Sequence, residues 1–127
     1  MGQNSGGEGG LRKDIGDRAY EFGLEMLNLF DRLRSKDYGT EVIIKQLLRS
    51  GTSIGANIIE AQAGSSRRDF TNFLNHALKS SNETKYWLTL LINSGRLNRR
   101  ESEPLLREVI ELSNILGASI IKLKKKF

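Results

Sequence analysis

Residues 50–62 read SGTSIGANIIEAQ, and the rest of this 127-residue chain is arranged around them. From Ile43 through this segment, apolar residues recur at intervals of three and four, which is the period of an amphipathic α-helix. Gly51 and Gly55 lie inside the predicted helix, where each costs about 1 kcal/mol relative to alanine. We therefore interpret both glycines as positions where another helix approaches closely.

A polar line follows the opposite side of this helix, and a second polar line follows the next helix. If the two helices are antiparallel about a turn near Gly64, facing residues have position numbers with a constant sum. The pairs that satisfy this condition within one residue are Arg49–Glu83, Ser53–Ser80, Asn57–His76 and Glu60–Asn72. The sequence therefore predicts a half-buried polar seam that sets the register of the helices, with Arg49–Glu83 as its charged pair. The alternative is that these are ordinary solvated or capping residues.

Four segments of helical periodicity account for the chain after a glycine-rich start. They begin at about Asp14, Thr40, Ser66 and Ser102, and the first three end near Ser35, Ala63 and Ser94. Short connections between helices of this length are typical of an all-α, antiparallel, up-down-up-down four-helix bundle, which we assign to residues 13–127. Residues 1–12 are predicted to form a disordered tail or to be a vector-derived remnant.

Several helix ends have recognisable signals. Thr40 is a predicted N-cap of helix 2, and Ser65 or Ser66 is predicted to cap helix 3, with Asp69 three residues after Ser66 at the spacing of a capping box. Gly64 is expected to end helix 2 in the left-handed conformation. Pro104 is expected near the first position of helix 4, where proline is favoured.

Composition narrows the possible functions. The chain has no cysteine and no long uncharged apolar run, so we expect a cytoplasmic protein without a membrane span. His76 is the only histidine, and the sequence contains no Glu-x-x-His pair and no phosphate-binding glycine motif. We therefore expect no catalytic site, no metal and no cofactor.

Some apolar residues fall outside the predicted core stripes. A four-helix core does not hold two adjacent apolar rows on every helix, so these residues favour a second buried surface, most simply self-association. The alternative is a broad core face with a few exposed apolar side chains. The residues are Leu24, Leu27, Ile44, Leu48, Ile59, Leu90, Ile92, Ile115 and Ile121.

The net charge of +5 leaves a nucleic-acid partner open, and the positions of the basic residues suggest where it would bind. In an up-down bundle, two clusters form at opposite ends, and each could track phosphates without reading bases. The first cluster is Arg32, Arg34, Lys36, Arg96, Arg99 and Arg100, and the second is Arg67, Arg68, Lys124 and Lys125. The alternative is that these charges serve solubility and the helix dipoles.

Three motifs carry a resemblance to a known family. They are SIGANIIE at 53–60, RRDFTNFL at 67–74 and SSNET at 80–84. Together they resemble the bacterial four-helix-bundle proteins encoded in intervening sequences of the large-subunit ribosomal RNA gene, over about Ile15 to Leu123. The matching signature positions are Ser53, Asn57, Glu60, Asp69, Phe70 and Glu83. Ile59 departs from the family pattern, which more often has a small residue there.

The resemblance implies a cytoplasmic bundle that assembles as a ring-like homopentamer. A related group, the accessory proteins of diversity-generating retroelements, comprises basic pentamers that bind nucleic acid and a partner reverse transcriptase. Members of the family generally have no established biochemical activity. We therefore expect a non-catalytic oligomeric scaffold that binds RNA or DNA through basic rims. The alternative is a structural or protein-interaction module, whose partner could be a reverse transcriptase or another protein.

Overall fold

The computed structural model describes residues 10–33 and 37–125, with side chains described from residue 15 onward. This part of the chain forms four helices: α1 (Gly10–Arg32), α2 (Tyr38–Ala63), α3 (Arg67–Asn93) and α4 (Arg99–Lys125). Each helix packs antiparallel against the next, and α4 returns to α1, so that one apolar core lies between them. The predicted all-α four-helix bundle is confirmed.

The core follows the predicted spacing on every helix. On α1 the buried side chains recur at three and four residues as far as Leu29, and Phe30 is half-buried beside it. The large side chains that are completely enclosed include Phe22, Met26, Leu47, Ile54, Ile58, Leu88, Leu91, Val109, Leu112 and Leu116. All four helices contribute to this set, which makes the bundle a single hydrophobic unit.

Gly51 leaves room for the Met26 side chain of α1. A β-carbon built on Gly51 would lie 2.6 Å from Cγ and 2.8 Å from Sδ of Met26. At Gly55 the same construction leaves 3.5 Å to the carbonyl group of Ala19, which is ordinary van der Waals contact. A side chain at Gly51 would therefore overlap Met26, whereas at Gly55 the α1 backbone lies close by but an alanine would still fit.

The first two helices begin earlier than predicted. α1 starts at Gly10, so residues 10–12 are helical rather than part of a tail, and no acidic residue lies in its first turn. α2 starts at Tyr38, with Asp37 as the preceding residue. Thr40 is therefore inside the helix rather than its N-cap, and its hydroxyl donates a hydrogen bond to Asp37 Oδ2 at 2.6 Å. Residues 1–9 and 34–36 lie outside the described part of the chain.

The connection between α2 and α3 agrees with the prediction at one residue and differs at another. Ser66 caps α3, because its side-chain oxygen accepts the backbone N–H of Asp69 at 3.1 Å. Gly64 ends α2 with φ −65° and ψ 147°, which is extended rather than left-handed. Glycine is therefore not required there by the backbone conformation.

The connection between α3 and α4 contains the positive-φ residue of the described chain, Gly95, at φ 80°. α4 begins at Arg99 rather than Ser102, and Asn98 Oδ1 accepts the backbone N–H of Glu101 at 3.0 Å. Pro104 consequently lies inside the helix rather than at its first position. Because proline has no N–H, the helix gives up one hydrogen bond there.

An ion-pair cluster closes the bundle between α1 and α4. Arg18 donates to Glu108 through Nε at 2.9 Å and through Nη2 at 2.8 Å, and it also bonds Glu111. These hydrogen bonds, with Glu108 contributing most, raise the pKa of the Arg18 guanidinium. The sequence analysis did not identify this contact, whose members are 90 and 93 positions apart.

The apolar residues outside the predicted stripes divide into three groups. Ile44 and Ile92 are buried in the core, contrary to the expectation that they belong to a second surface. Leu48 and Ile115 are half-buried and pack against the core. The exposed remainder is Leu24, Leu27, Ile59, Leu90 and Ile121, and Tyr20, Tyr38, Val42, Tyr86 and Ile110 are exposed as well.

Candidate nucleic-acid interface

The α1–α2 and α3–α4 connections lie together at one end of the bundle, and the α2–α3 connection lies at the other, as the topology predicts. At one end, Arg96 from the α3–α4 connection donates through Nε to Thr40 Oγ1 at 2.7 Å. The same nitrogen lies 3.4 Å from Asp37 Oδ2, so the α1–α2 connection belongs to this end as well. We call it the α3–α4 end. The α2–α3 end is the opposite one, where the turn at residues 64–66 meets the C-terminus of α4.

The predicted cations of the α3–α4 end are partly engaged by neighbouring side chains. Arg96 donates hydrogen bonds to Asp37 and Thr40, and Arg99 Nη2 donates to Asn93 Oδ1 at 2.7 Å. The hydrogen bond from Thr40, followed by that from Arg96, holds the pKa of the Asp37 carboxyl below its usual range. Arg32 and Arg100 are exposed at this end, whereas Arg34 and Lys36 lie outside the described residues.

Acidic residues are interspersed with the cations of the α3–α4 end. Asp31, Asp37, Glu41 and Glu101 lie in the same terminal turns as the four described arginines. The positive and negative charges of the described residues are therefore nearly balanced there. Such a surface has little excess charge with which to attract phosphates.

The α2–α3 end has a clear excess of positive charge. Its exposed cations lie in the first turn of α3 and the last turn of α4: they are Arg67, Arg68, Lys122, Lys124 and Lys125. Among the described residues of these terminal turns and the last turn of α2, the acidic ones are Glu60 and Asp69. Asp69 also accepts a hydrogen bond from Ser65 at 3.3 Å. This end is the better candidate for contact with a polyanion.

The charged pair of the predicted polar seam is present, but it is exposed. Arg49 Nη2 lies 3.6 Å from Glu83 Oε2, and 66% of the Arg49 side chain is accessible to solvent. Arg49 also donates to Gln46 Oε1 at 3.1 Å, and Glu83 accepts the Trp87 indole N–H at 3.0 Å. An exposed pair of this kind contributes little to stability, typically about 0.2–1 kcal/mol.

The other predicted pairs of the seam do not form. Ser53 donates to the Arg49 carbonyl at 2.7 Å, and Asn57 donates to the Ser53 carbonyl at 2.9 Å. Glu60 and His76 are exposed, and no hydrogen bond within residues 37–125 joins the predicted partners. The prediction was wrong here because a carbonyl one turn back is within reach of a short polar side chain without a neighbouring helix.

A buried hydroxyl pair, which the sequence analysis did not single out, joins α2 to α3. Thr84 Oγ1 lies 2.9 Å from Ser50 Oγ, and both residues are almost completely inaccessible. Ser50 in turn donates to the Leu47 carbonyl at 3.2 Å, so the pair is satisfied. The position numbers sum to nearly the same value as those of the predicted seam pairs. The constant-sum condition therefore applies to Ser50 and Thr84 as well, but this pair lies on the core side of the helices.

Two other kinds of site, a membrane span and a metal centre, were looked for among the described residues. None of the helices in residues 10–33 and 37–125 has the length and hydropathy that a membrane span needs. In the same ranges, no group of three or more His, Asp or Glu side chains is placed to hold a metal ion.

Comparisons with known proteins agree with this architecture. The sequence model of the family described as 23S rRNA-intervening sequence protein matches residues 13–118. No functionally curated protein matches the chain. A solved structure, a protein of unknown function from the S23 ribosomal protein family of Bacteroides thetaiotaomicron, is 42% identical in sequence. The match covers 86% of this chain and 96% of that one, with a TM-score of 0.79.

Proposed function

We propose that this chain, which belongs to the 23S rRNA-intervening sequence protein family, is a non-catalytic oligomeric scaffold that binds nucleic acid through its basic α2–α3 end. The observation that carries the proposal is the set of five exposed cations in the terminal turns of α3 and α4, against three described carboxylates at that end, Asp17, Glu60 and Asp69. Cations on helix termini contact phosphates without reading bases, so binding is expected to be largely independent of nucleotide sequence. The α3–α4 end is given a secondary role, because the charges of its described residues are nearly balanced.

Self-association forms the second part of the proposal. Leu24, Leu27 and Ile59 are 39–59% exposed, and Tyr20 is 63% exposed. They share the outward side of the α1–α2 pair, where a second copy would remove them from water. The resemblance to ring-forming relatives extends this to a homopentamer. A ring of five copies would multiply the number of basic ends available to one polyanion, which strengthens binding through effective concentration. A cytoplasmic location fits a chain without cysteine.

A salt series tests the nucleic-acid proposal directly. Purified, nuclease-treated protein is titrated with a structured RNA and with a random DNA duplex at increasing salt. The test variant replaces three cations of the α2–α3 end (Arg68→Gln, Lys124→Gln and Lys125→Gln). The control removes three exposed charges from the sides of the bundle (Lys45→Gln, Lys79→Gln and Arg107→Gln).

We expect the test variant to bind more weakly, with a slope of log affinity against log salt that is smaller by about 2–3. Each lost phosphate contact removes about 0.7–0.9 from that slope. Equal losses in the two variants would show that only net charge matters. An absence of binding at low salt would favour the alternative, a protein-interaction module that uses the exposed apolar side of α1 and α2, with a reverse transcriptase or another protein as its partner.

A further inference from the structure

The α2–α3 end also contains an apolar cavity of about 300 Å³ that opens to solvent. All four helices contribute to it. Ile15, Ile58, Leu74, Leu116 and Leu123 provide aliphatic walls, and the Phe70 ring adds an aromatic one. Its volume lies at the lower limit of pockets that hold small molecules, which are typically about 300–1,000 Å³. The core of the bundle is therefore accessible at this end.

Polar groups line this cavity at three positions. Gln62, Ser119 and Lys122 line it together with the apolar residues, and each offers a hydrogen-bond donor. Lys122 is exposed, and none of the described residues pairs with its ammonium group. Arg67 and Arg68 at the same end add positive charge nearby. The surroundings of the opening therefore favour an anionic group.

We infer that this cavity binds a small amphipathic anion, such as a medium-chain alkyl carboxylate. Its alkyl chain would lie among the aliphatic walls, and its anionic head would be held by Lys122 and Ser119. A flat nucleobase is a poorer match, because the described residues of the wall include no buried polar side chain to pair with its edges. A cationic amphiphile is disfavoured by the charge of this end.

Calorimetric titration with sodium decanoate, well below its micelle concentration, tests the inference on the full chain without nucleic acid. We expect saturable binding at one site per chain. In the series hexanoate, octanoate and decanoate, each added methylene should strengthen binding about threefold to fourfold while the chain still fits. Adenosine monophosphate, a nucleotide, and decyltrimethylammonium, a cationic amphiphile, are titrated for comparison.

Two matched pairs of variants locate the site. Ser119→Trp fills the cavity from its wall, whereas Ala118→Trp places the same side chain on an exposed neighbouring position. We expect only Ser119→Trp to abolish decanoate binding. Lys122→Gln should weaken decanoate about fivefold and leave decanol unchanged, whereas Lys125→Gln should affect neither. Circular dichroism verifies that each variant is folded.

Chemical-shift mapping on the unmodified chain supplies evidence that does not depend on a variant. Decanoate should move the amide signals of residues 58–62, 70–74 and 116–123 and leave those of the α3–α4 end in place. Lack of binding at millimolar decanoate, or equal binding by Ser119→Trp and the wild-type chain, would overturn the inference. Tighter binding of the nucleotide or of the cationic amphiphile would overturn the assigned ligand chemistry. None of these outcomes depends on nucleic-acid binding, so the proposed function is tested separately.

Discussion

Substitution of Gly51 by alanine, compared with the same change at Gly55, measures how closely α1 and α2 are packed. Both glycines lie inside α2, so alanine at either position gains about 1 kcal/mol of helix propensity. At Gly51 the new methyl group would meet Met26 Cγ at 2.6 Å and Sδ at 2.8 Å. Met26 is almost completely buried, so any shift of its side chain takes place inside the core, where packing is dense.

The expected changes in the free energy of unfolding have opposite signs for the two variants. Overpacking in a dense core costs about 1–3 kcal/mol, which offsets or exceeds the gain in propensity at Gly51. At Gly55 the nearest atoms belong to Ala19 and lie at ordinary contact distance, so the gain remains. Gly55→Ala should therefore be more stable than wild type by about 0.5–1 kcal/mol, and Gly51→Ala should be less stable by up to about 2 kcal/mol.

Urea unfolding followed by far-ultraviolet circular dichroism measures both changes. The midpoints are compared at a fixed protein concentration, because self-association would make them concentration-dependent. The transition slope should stay constant, so that a shift in midpoint reports stability alone. If Gly51→Ala is as stable as Gly55→Ala, the steric account of the α1–α2 contact is wrong.

Three further perturbations test other contacts. Thr84→Val keeps the shape of the side chain but removes its bond to Ser50, and should cost about 1 kcal/mol; an unchanged urea midpoint would contradict this. Arg18→Ala removes the partly exposed link to α4 and should cost about 1 kcal/mol, whereas Arg107→Ala, at an exposed control position, should stay within about 0.5 kcal/mol; equal midpoints would refute the role of the link. The lowered pKa of Asp37 means that its ionised form stabilises the folded state above the unfolded pKa, and that this contribution is lost as the pH falls through the folded value. Asp37→Asn should therefore lower the thermal midpoint at neutral pH, and its difference from wild type should disappear on acidification. A difference that stays the same at every pH would show that ionisation of Asp37 is not its cause.

The fold could be predicted because it depends on spacing, which the sequence displays directly. Apolar residues at intervals of three and four fix which side of each helix is buried, whatever the neighbouring helix contributes. The cap of α3 could be narrowed to Ser65 or Ser66 because a capping interaction is local, and Ser66, three residues before Asp69, is the one that forms it. The start of α4 was missed because Asn98 provides a cap before the residues that looked like the beginning of the helix.

The polar contacts between helices could be predicted only in part. The constant-sum condition places residues at the same level of the bundle, and it found Arg49–Glu83 correctly. It does not determine whether a short side chain turns to its own backbone, as Ser53 and Asn57 do. The contact of Arg18 with Glu108 depends on the way the first and last helices meet, which no local pattern encodes.

The cluster that closes the bundle affects how α1 can separate from the rest of the protein. α1 packs well against α2, but its contact with α4 is limited and is secured near its middle by Arg18. The α2–α3–α4 part, with its more extensive packing, can behave as one cooperative unit while α1 opens as a smaller one. Amide hydrogen exchange should then be faster throughout α1 than in the centres of α2 and α3. Uniform exchange across the four helices would indicate a single cooperative unit.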